Sequence, residues 1–382
     1  MKSPLLQKNG FWAHLKAERP AWYQTAEAHI DPIGVMLPIV SAMQAWLTHP
    51  AELYTASHQM FKDLIELNQN AWKRCVGSGC ETLMQPESFD RRFADPAWQE
   101  DPFYRSLLEH YLYLSQAFER ILGETPGMDH KERRKAAFWF RKYANLLAPT
   151  NFFATNPHAQ KLALETRGQS LQQGLDFFLS DLQTRRLPLT DLTAYKVGKD
   201  IALTPGAVIY RNALVEVLHY QSTTKKQRAV PIVLITPWIN KFYIVDLLPN
   251  ESLVRHLLDD GFDVYVTSWR NPTADMAGTT MDDYLCQGID AIVDAAIAQS
   301  GSPEVHAVGY CIGGAALAMW LAIENVRAAQ EKRPPRVSHW TTFATLVDYH
   351  YPGHIEVFID PASVDYLADA VNAAGFLDGK SK

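Results

Sequence analysis

The stretch of sequence that decides the fold is VHAVGYCIGGA, residues 305–315. It begins with a short β-prone run, residues 305–308, passes through a Gly-x-Cys-x-Gly pattern at residues 309–313, and continues into an alanine-rich helical segment. A strand, a tight turn and a helix in this order are typical of a crossover connection in a parallel sheet. The pattern therefore predicts that Cys311 lies at the corner where a buried strand meets its crossover helix.

The residue types around Cys311 suit a reactive position. Gly309 and Gly313 allow neighbouring backbone to approach the turn closely, and the cysteine projects from the N-terminus of the helix, where the helix dipole favours a thiolate. In this context the pattern predicts the nucleophile elbow of an α/β-hydrolase fold, with cysteine in place of serine. The alternative is a tight crossover that buries an unreactive thiol.

An elbow nucleophile requires two backbone N–H groups directed at the negative oxygen that forms during the reaction. In this fold one N–H comes from the residue after the nucleophile, here Ile312, and the other from the loop after an earlier strand. That loop follows the apolar run 232–235, so we expect the second donor to be Ile239 or Asn240. The alternative for this segment is an ordinary strand–helix loop.

Segments of strand and helix character alternate on both sides of this stretch. The predicted strands are 232–235, 264–267, 305–308 and 340–346, the predicted helices are 249–260, 281–299 and 313–330, and a β-hairpin over 207–218 precedes them. This alternation predicts an α/β fold with a doubly wound, mostly parallel sheet of the α/β-hydrolase type.

The sequence also predicts how the chain is divided. Apolar residues recur at helical spacing up to about Thr193, so we expect a helical N-terminal domain over 1–196, followed by a catalytic core over 197–347. Residues 348–382 are expected to begin a cap segment. Because 71 residues follow Cys311, we expect the sheet to be incomplete at its C-terminal side.

Composition excludes several classes of function. The 36 Lys and Arg residues and 42 Asp and Glu residues give a formal charge of −6, which argues against nucleic-acid binding through bulk charge. A hydrophobic fraction of 47% is typical of a folded chain. Four scattered cysteines and a start without a secretory signal predict a cytoplasmic protein, and no segment predicts a bilayer span. The spacing of Cys75 and Cys80 fits no standard zinc site, so no metal is expected.

Several longer motifs resemble the polyhydroxyalkanoate synthases. They are DPAWQ at 95–99, LAPTNF at 147–152, PWINKFYIVDL at 237–247, TSWRNP at 267–272 and GYCIGG at 309–314. The motifs follow the family's order and cover most of the chain. The long helical N-terminal half resembles the single-subunit, class I synthases that prefer short-chain monomers.

The resemblance implies that the chain polymerises (R)-3-hydroxyacyl-coenzyme A into a polyester and releases coenzyme A, with Cys311 carrying the acyl group as a thioester. Exchange between two thioesters is nearly balanced in free energy, which suits a transferase. No cofactor is expected beyond the coenzyme A thioester substrate, for whose phosphates Arg270 is a candidate contact. The family implies a homodimer at the surface of polyester granules, with granule-associated proteins as partners. Trp12 and Trp46 are candidates for docking there, with core packing as the alternative.

Chain growth also requires a histidine general base oriented by a carboxylate. Four candidates follow the last predicted strand: Asp348, His350, His354 and Asp360. This segment resembles the start of the family's cap, so we expect the catalytic acid and histidine to be missing from a C-terminally truncated chain. His306 lies inside a predicted strand and is expected to be a core group. Two further functions remain open, a cysteine-dependent esterase or lactonase and an inactive remnant that binds granules or an intact synthase.

Overall fold

A computed structural model describes residues 31, 33–78, 81–184, 191 and 193–377. The chain divides into two compact units. The first consists of Met1–Leu187 with Gly353–Ala368, and the second of Pro188–Pro352 with Asp369–Lys382. The predicted domain boundaries at 196/197 and 347/348 stay predictions.

The first unit is helical, as the sequence predicts. Its helices are α1 (Leu37–Leu47), α2 (Pro50–Cys75), α3 (Ala97–Glu100), α4 (Pro102–Gly123), α5 (His130–Leu146), α6 (Pro157–Glu165) and α7 (Gln169–Thr184). Asp101, Asp129 and Asn156 cap α4, α5 and α6 by accepting hydrogen bonds from first-turn N–H groups. These caps determine where the three helices begin.

A buried ion pair joins two helices of the first unit. Glu109 of α4 is 1% exposed and accepts hydrogen bonds from Arg105 of the same helix and from Arg74 of α2. Trp46 of α1 donates its indole N–H to the Ile121 carbonyl at 3.3 Å and to the Thr125 hydroxyl at 3.2 Å. Trp46 is therefore packed and hydrogen-bonded within this unit, whereas Trp12 lies outside the described residues, as does Cys80.

The second unit is built on a six-stranded sheet. Its strands are β1 (Ala207–Arg211), β2 (Val215–Tyr220), β3 (Ile232–Ile235), β4 (Val264–Trp269), β5 (Val305–Tyr310) and β6 (Val337–Phe343), in the order β1-β2-β4-β3-β5-β6. β4, β3, β5 and β6 pair in parallel, and the β1–β2 hairpin adds to β4 in antiparallel fashion. The doubly wound, mostly parallel sheet is thus confirmed.

Helices connect the parallel strands. They are α8 (Leu253–Asp259), α9 (Met281–Asp283), α10 (Asp290–Ser300) and α11 (Ile312–Glu331), and α12 (Pro361–Ala374) follows β6. Alternate residues of β3 enter different apolar clusters, Val233 and Ile235 on one face of the sheet and Ile232 and Leu234 on the other. β3 is therefore buried on both faces, as its continuous apolar run predicts.

Three predicted elements differ from the sequence-based expectation. The helix predicted over 249–260 is shorter, Leu253–Asp259, because Ser252 caps it by accepting a hydrogen bond from the Arg255 N–H. The last strand runs from Val337 to Phe343, three residues earlier than the predicted 340–346. It begins there because Val337 pairs with Val305 of β5, and it ends where Ala344 adopts a φ of +49°. The predicted helix 281–299 is interrupted by a π-helical turn, Tyr284–Ile289.

Glu324 of α11 fixes the start of β6. Its carboxylate is fully buried. It accepts hydrogen bonds from the guanidinium group of Arg333, from that of Arg336 and from the Arg336 backbone N–H. Arg336 also pairs with Asp290 at 2.7 Å, which ties α10 to the same point. In the part of the chain that the structure describes, no helix is both long enough and apolar enough to cross a bilayer.

Candidate active site

Cys311 is the single residue between β5 and α11. Its φ of +53° and ψ of −127° place an L-residue in a strained backbone conformation. The Cys311 N–H donates to the Phe343 carbonyl of β6 at 2.9 Å, and its carbonyl accepts from the Gly314 N–H at 3.0 Å. These bonds hold the sharp strand-to-helix corner that the sequence predicts.

Glycines are required on both sides of the corner. A Cβ on Gly313 would lie 2.5 Å from the Ile235 carbonyl oxygen and 2.8 Å from the Thr236 carbonyl oxygen, at the exit of β3. A Cβ on Gly309 would overlap the Cα of Gly314. The backbone atoms on the other side of each contact have no room to move, so these two positions accept only glycine.

Gly314 plays a part that sequence reasoning did not assign. A Cβ there would overlap the hydroxyl of Thr345, which donates to the Cys311 carbonyl at 3.2 Å and to the Phe343 carbonyl at 3.0 Å. The missed signal was the second of two consecutive glycines after the cysteine. Thr345 thereby links the end of β6 to the elbow.

The thiol of Cys311 is exposed and forms no disulfide. Within the described residues no histidine is hydrogen-bonded to its Sγ atom. The exposure excludes the alternative of a thiol buried in a packed crossover. Its role as nucleophile stays a prediction at this point.

The loop after β3 leaves the sheet beside the elbow. Ile235 pairs with Gly309 in the register of β3 and β5, so the residues that follow each strand are neighbours at the carboxyl edge. Ile312 is the first residue of α11, and its N–H therefore has no acceptor within the helix. Ile239 lies in the exposed bend after β3. The choice between Ile239 and Asn240 as second donor stays open.

Two threonines anchor this loop to β4. The Thr236 N–H donates to the Thr267 hydroxyl at 2.9 Å, and the Thr236 hydroxyl donates to the Thr267 carbonyl at 2.7 Å. The Thr236 carbonyl in turn accepts the indole N–H of Trp269 at 2.6 Å. Sequence reasoning missed these three residues, although Thr236 directly follows one predicted strand, Thr267 ends another and Trp269 lies two residues beyond it.

Arg270 follows β4 at the same carboxyl edge of the sheet. Its guanidinium pairs with Asp275 at 2.8 Å and donates to the Thr273 hydroxyl at 3.1 Å, beside a cavity of about 240 Å³. Hydrogen bonds from Thr273 and Arg270 lower the pKa of Asp275. A phosphate would have to share this guanidinium with Asp275, and the role of Arg270 in binding stays a prediction.

The candidate acid and base residues lie in different places. Asp348 and His350 follow β6, and the His350 Nδ1 lies 3.4 Å from an Asp348 carboxylate oxygen, with side chains 86% and 75% exposed. His354 and Asp360 belong to the first unit, where the His354 ring lies near Phe138 and Asp360 pairs with Lys135. None of these four is hydrogen-bonded to Cys311.

His306 is the second residue of β5, at the end of the strand opposite the elbow. Its ring is 5.1 Å from that of His339 on β6, and its Nδ1 is 3.2 Å from the Ser338 hydroxyl. Burial and the neighbouring His339 lower the pKa of His306. The ring therefore serves packing within the sheet. Among the described residues, no cluster of His, Cys, Asp or Glu is arranged to hold a metal ion.

Two family models match the chain. The model of the N-terminus of poly-beta-hydroxybutyrate polymerase (PhaC) matches residues 89–257, and that of the alpha/beta hydrolase fold matches residues 231–373. The second match begins beside β3 and contains the elbow. It agrees with the observed sheet, so the α/β-hydrolase fold class is confirmed.

Curated relatives match along nearly the whole chain. The poly(3-hydroxyalkanoate) polymerase subunit PhaC of Rhizobium etli is 33% identical over 366 residues, which are 93% of this chain and 57% of that protein. The subunit PhaC of Cupriavidus necator is 34% identical over 353 residues, 92% of this chain and 58% of that protein. The subunit PhaC of Haloferax mediterranei is 41% identical over 133 residues, 34% of this chain and 26% of that protein.

The chain is therefore a relative of the poly(3-hydroxyalkanoate) polymerases, and the resemblance drawn from its motifs is confirmed. It spans about 57% of the length of the Rhizobium etli relative.

Proposed function

We propose that this relative of the polyhydroxyalkanoate polymerases performs acyl transfer from (R)-3-hydroxyacyl-coenzyme A through a thioester on Cys311. The observation that carries the proposal is an exposed thiol at a strained strand–helix corner, beside the loop that leaves the neighbouring strand. That geometry presents a nucleophile next to backbone N–H groups, which is what acyl transfer requires.

The acylation step balances without a cofactor. The Cys311 thiolate attacks the thioester carbonyl carbon, a new carbon–sulfur bond forms, and the bond to the coenzyme A sulfur breaks. Coenzyme A leaves as a thiolate and takes a proton from water. The oxyanion of the tetrahedral intermediate is stabilised by the N–H of Ile312 and by that of Ile239 or Asn240.

Polymer growth needs a further step, in which a hydroxyl group attacks the acyl thioester. A histidine base oriented by a carboxylate would remove the hydroxyl proton. We assign this base to none of the described histidines, because none is hydrogen-bonded to Cys311. We therefore propose that the 382-residue chain by itself stops at the acyl-enzyme.

The setting of the reaction is part of the same proposal. The substrates are the coenzyme A thioester and the growing polyester, the assembly is a homodimer, and the place of work is the surface of a polyester granule in the cytoplasm, with granule-associated proteins nearby. Support for this setting comes from the relatives named as poly(3-hydroxyalkanoate) polymerases.

The test is incubation of the chain with 3-hydroxybutyryl-coenzyme A, followed by intact-protein mass spectrometry and peptide mapping. We expect one hydroxybutyryl group on Cys311, release of one equivalent of coenzyme A, and no polymer. Cys311→Ala should abolish the modification. Cys286→Ala is the matched control, because Cys286 is also an exposed free thiol but lies in the turn Tyr284–Ile289, where Arg327 of α11 donates to its Sγ.

Other products would favour the other functions. Continuous release of free 3-hydroxybutyrate would indicate a cysteine hydrolase of the same fold. Neither acylation nor release would indicate a remnant that only binds, and either result would overturn the proposed function.

A further inference from the structure

We propose that Trp269 is a positioning residue, which holds the loop after β3 so that its N–H group faces the oxyanion at Cys311. This inference rests on the proposed function. It concerns the orientation of a hydrogen-bond donor and assigns Trp269 no contact with the substrate.

The first support is the hydrogen bond from the Trp269 indole to the Thr236 carbonyl, 2.6 Å long. The same carbonyl oxygen lies against the first turn of α11, 2.8 Å from where a Cβ of Gly313 would be. The indole therefore fixes a backbone group that touches both the loop and the elbow helix. A shift of this carbonyl would move one wall of the oxyanion site relative to the other.

The second support is aromatic packing on the next turn of the loop. The Trp238 ring lies edge-on to the Trp269 ring, with centroids 6.1 Å apart and planes at 86°, and 4.8 Å from the Tyr284 ring. Trp238 immediately precedes Ile239. Trp269 thus holds the loop at two points, the Thr236 carbonyl and the Trp238 side chain, on the N-terminal side of the predicted donor.

The third support is the space made for the indole. A Cβ on Gly288 would overlap the six-membered ring of Trp269. Gly288 lies in the π-helical turn Tyr284–Ile289, and such turns are an uncommon interruption of a helix, frequent at functional sites. The irregular turn and its glycine therefore accommodate this one side chain against the loop.

A small displacement at this position matters for chemistry more than for folding. Stabilisation of an oxyanion depends on the distance and direction of each N–H donor, and an error of about 1 Å can remove most of its effect. The thiol itself is positioned by the elbow and by β6, through the Phe343 carbonyl. Loss of the indole bond should therefore disturb oxyanion stabilisation while leaving the nucleophile in place.

The experiment compares three variants of the full chain. Trp269→Phe removes the indole N–H and keeps an aromatic ring, and Gly288→Ala keeps the tryptophan but displaces its ring. Trp320→Phe is the matched control, because the Trp320 indole is buried and donates to Asp290 at 2.8 Å, and Trp320 lies nine residues beyond Cys311 on α11. Circular dichroism and thermal melts establish that each variant is folded.

Two rates are measured at Cys311 for each variant. One is acylation by 3-hydroxybutyryl-coenzyme A at about pH 9, where more than half of an ordinary thiol is ionised without a base. The other is alkylation by iodoacetamide, a direct displacement in which no oxyanion forms. Comparison of the two rates distinguishes an effect on oxyanion stabilisation by the loop after β3 from an effect on the reactivity of the thiol.

We expect the acylation rate constant of Trp269→Phe and Gly288→Ala to fall by about tenfold or more, since loss of one oxyanion donor costs about 10²- to 10³-fold. The apparent KM and the alkylation rate should stay within about twofold of the wild type, and Trp320→Phe should match the wild type in both rates. Equal acylation rates for Trp269→Phe and wild type, or a parallel fall of the alkylation rate, would overturn the inference alone. Absence of acylation in the wild-type chain would overturn the proposed function and, with it, this inference.

Discussion

Because of Glu324, we expect the free energy of unfolding of the second unit to fall as the pH is lowered into the acid range. Its side chain is fully buried, which by itself would raise its pKa, but hydrogen bonds from Arg336 and Arg333 outweigh burial and lower the pKa of Glu324 from 4.5 to about 2. A group whose pKa is depressed by folding stabilises the folded state above its unfolded pKa. This stabilisation is complete above about pH 4.5 and is lost as the pH falls towards 2.

The magnitude follows from that difference. A lowering from 4.5 to about 2 corresponds to on the order of 3 kcal/mol at neutral pH, at about 1.4 kcal/mol for each pH unit. Glu324→Gln keeps the shape of the side chain and removes its charge. Because it leaves Arg333 and Arg336 with a neutral partner, we expect a loss of about 3 kcal/mol at pH 7.

The assay is urea unfolding followed by hydrogen exchange in peptides of α11 and β6, at several pH values between 7 and 3. The wild-type and Glu324→Gln stabilities should converge as the pH falls. Glu331→Gln is the control, since Glu331 pairs with the same Arg333 at 2.5 Å but is 59% exposed, and it should cost less than about 1 kcal/mol. Equal stability of Glu324→Gln and wild type at pH 7, or a difference that stays constant down to pH 3, would refute the reasoning.

Three further changes test the elbow and its surroundings. Gly313→Ala should lower the melting temperature, and it should reduce the acylation rate of Cys311 by more than about tenfold, because the new Cβ would meet the Ile235 carbonyl. Wild-type values in both measurements would contradict this. Thr345→Val removes a hydroxyl bonded to the Cys311 carbonyl and should cost about 1 kcal/mol, seen as faster exchange of the Cys311 amide, with Thr345→Ser as the rescuing variant. Arg270→Ala should raise the apparent KM for 3-hydroxybutyryl-coenzyme A by about tenfold, because loss of one charged contact costs roughly 1.4 kcal/mol of binding free energy. The rate of iodoacetamide alkylation should not change. An unchanged KM would remove Arg270 from the binding site.

Local chemistry explains why the elbow was predictable from sequence. β3 is an apolar run because it is buried on both faces of the sheet. The glycines around Cys311 are required because neighbouring backbone approaches them closely. Such requirements restrict the residue type at the position itself. Fold class and the position of Cys311 at the strand–helix corner could therefore be predicted without knowledge of any distant contact.

Contacts between distant segments explain what the sequence did not predict. β6 was placed three residues too late because its start is set by pairing of Val337 with Val305 and its end by the turn at Ala344. The π turn in the predicted helix 281–299 places Gly288 against the ring of Trp269, which lies 19 residues earlier in the chain. Neither the bounds of β6 nor the π turn can be predicted from a short window of adjacent residues.

The geometry at Cys311 is a property of three strands and not of its motif alone. β5 lies between β3 and β6, and the elbow is held from both sides, by the contact of Gly313 with the exit of β3 and by the bond from the Cys311 N–H to Phe343 of β6. A positive φ at a cysteine costs about 1–3 kcal/mol and persists only where the surroundings enforce it. A slip in the register of either neighbouring strand would remove one of these restraints. The Gly-x-Cys-x-Gly pattern therefore indicates a strained cysteine only where strands equivalent to both β3 and β6 flank it.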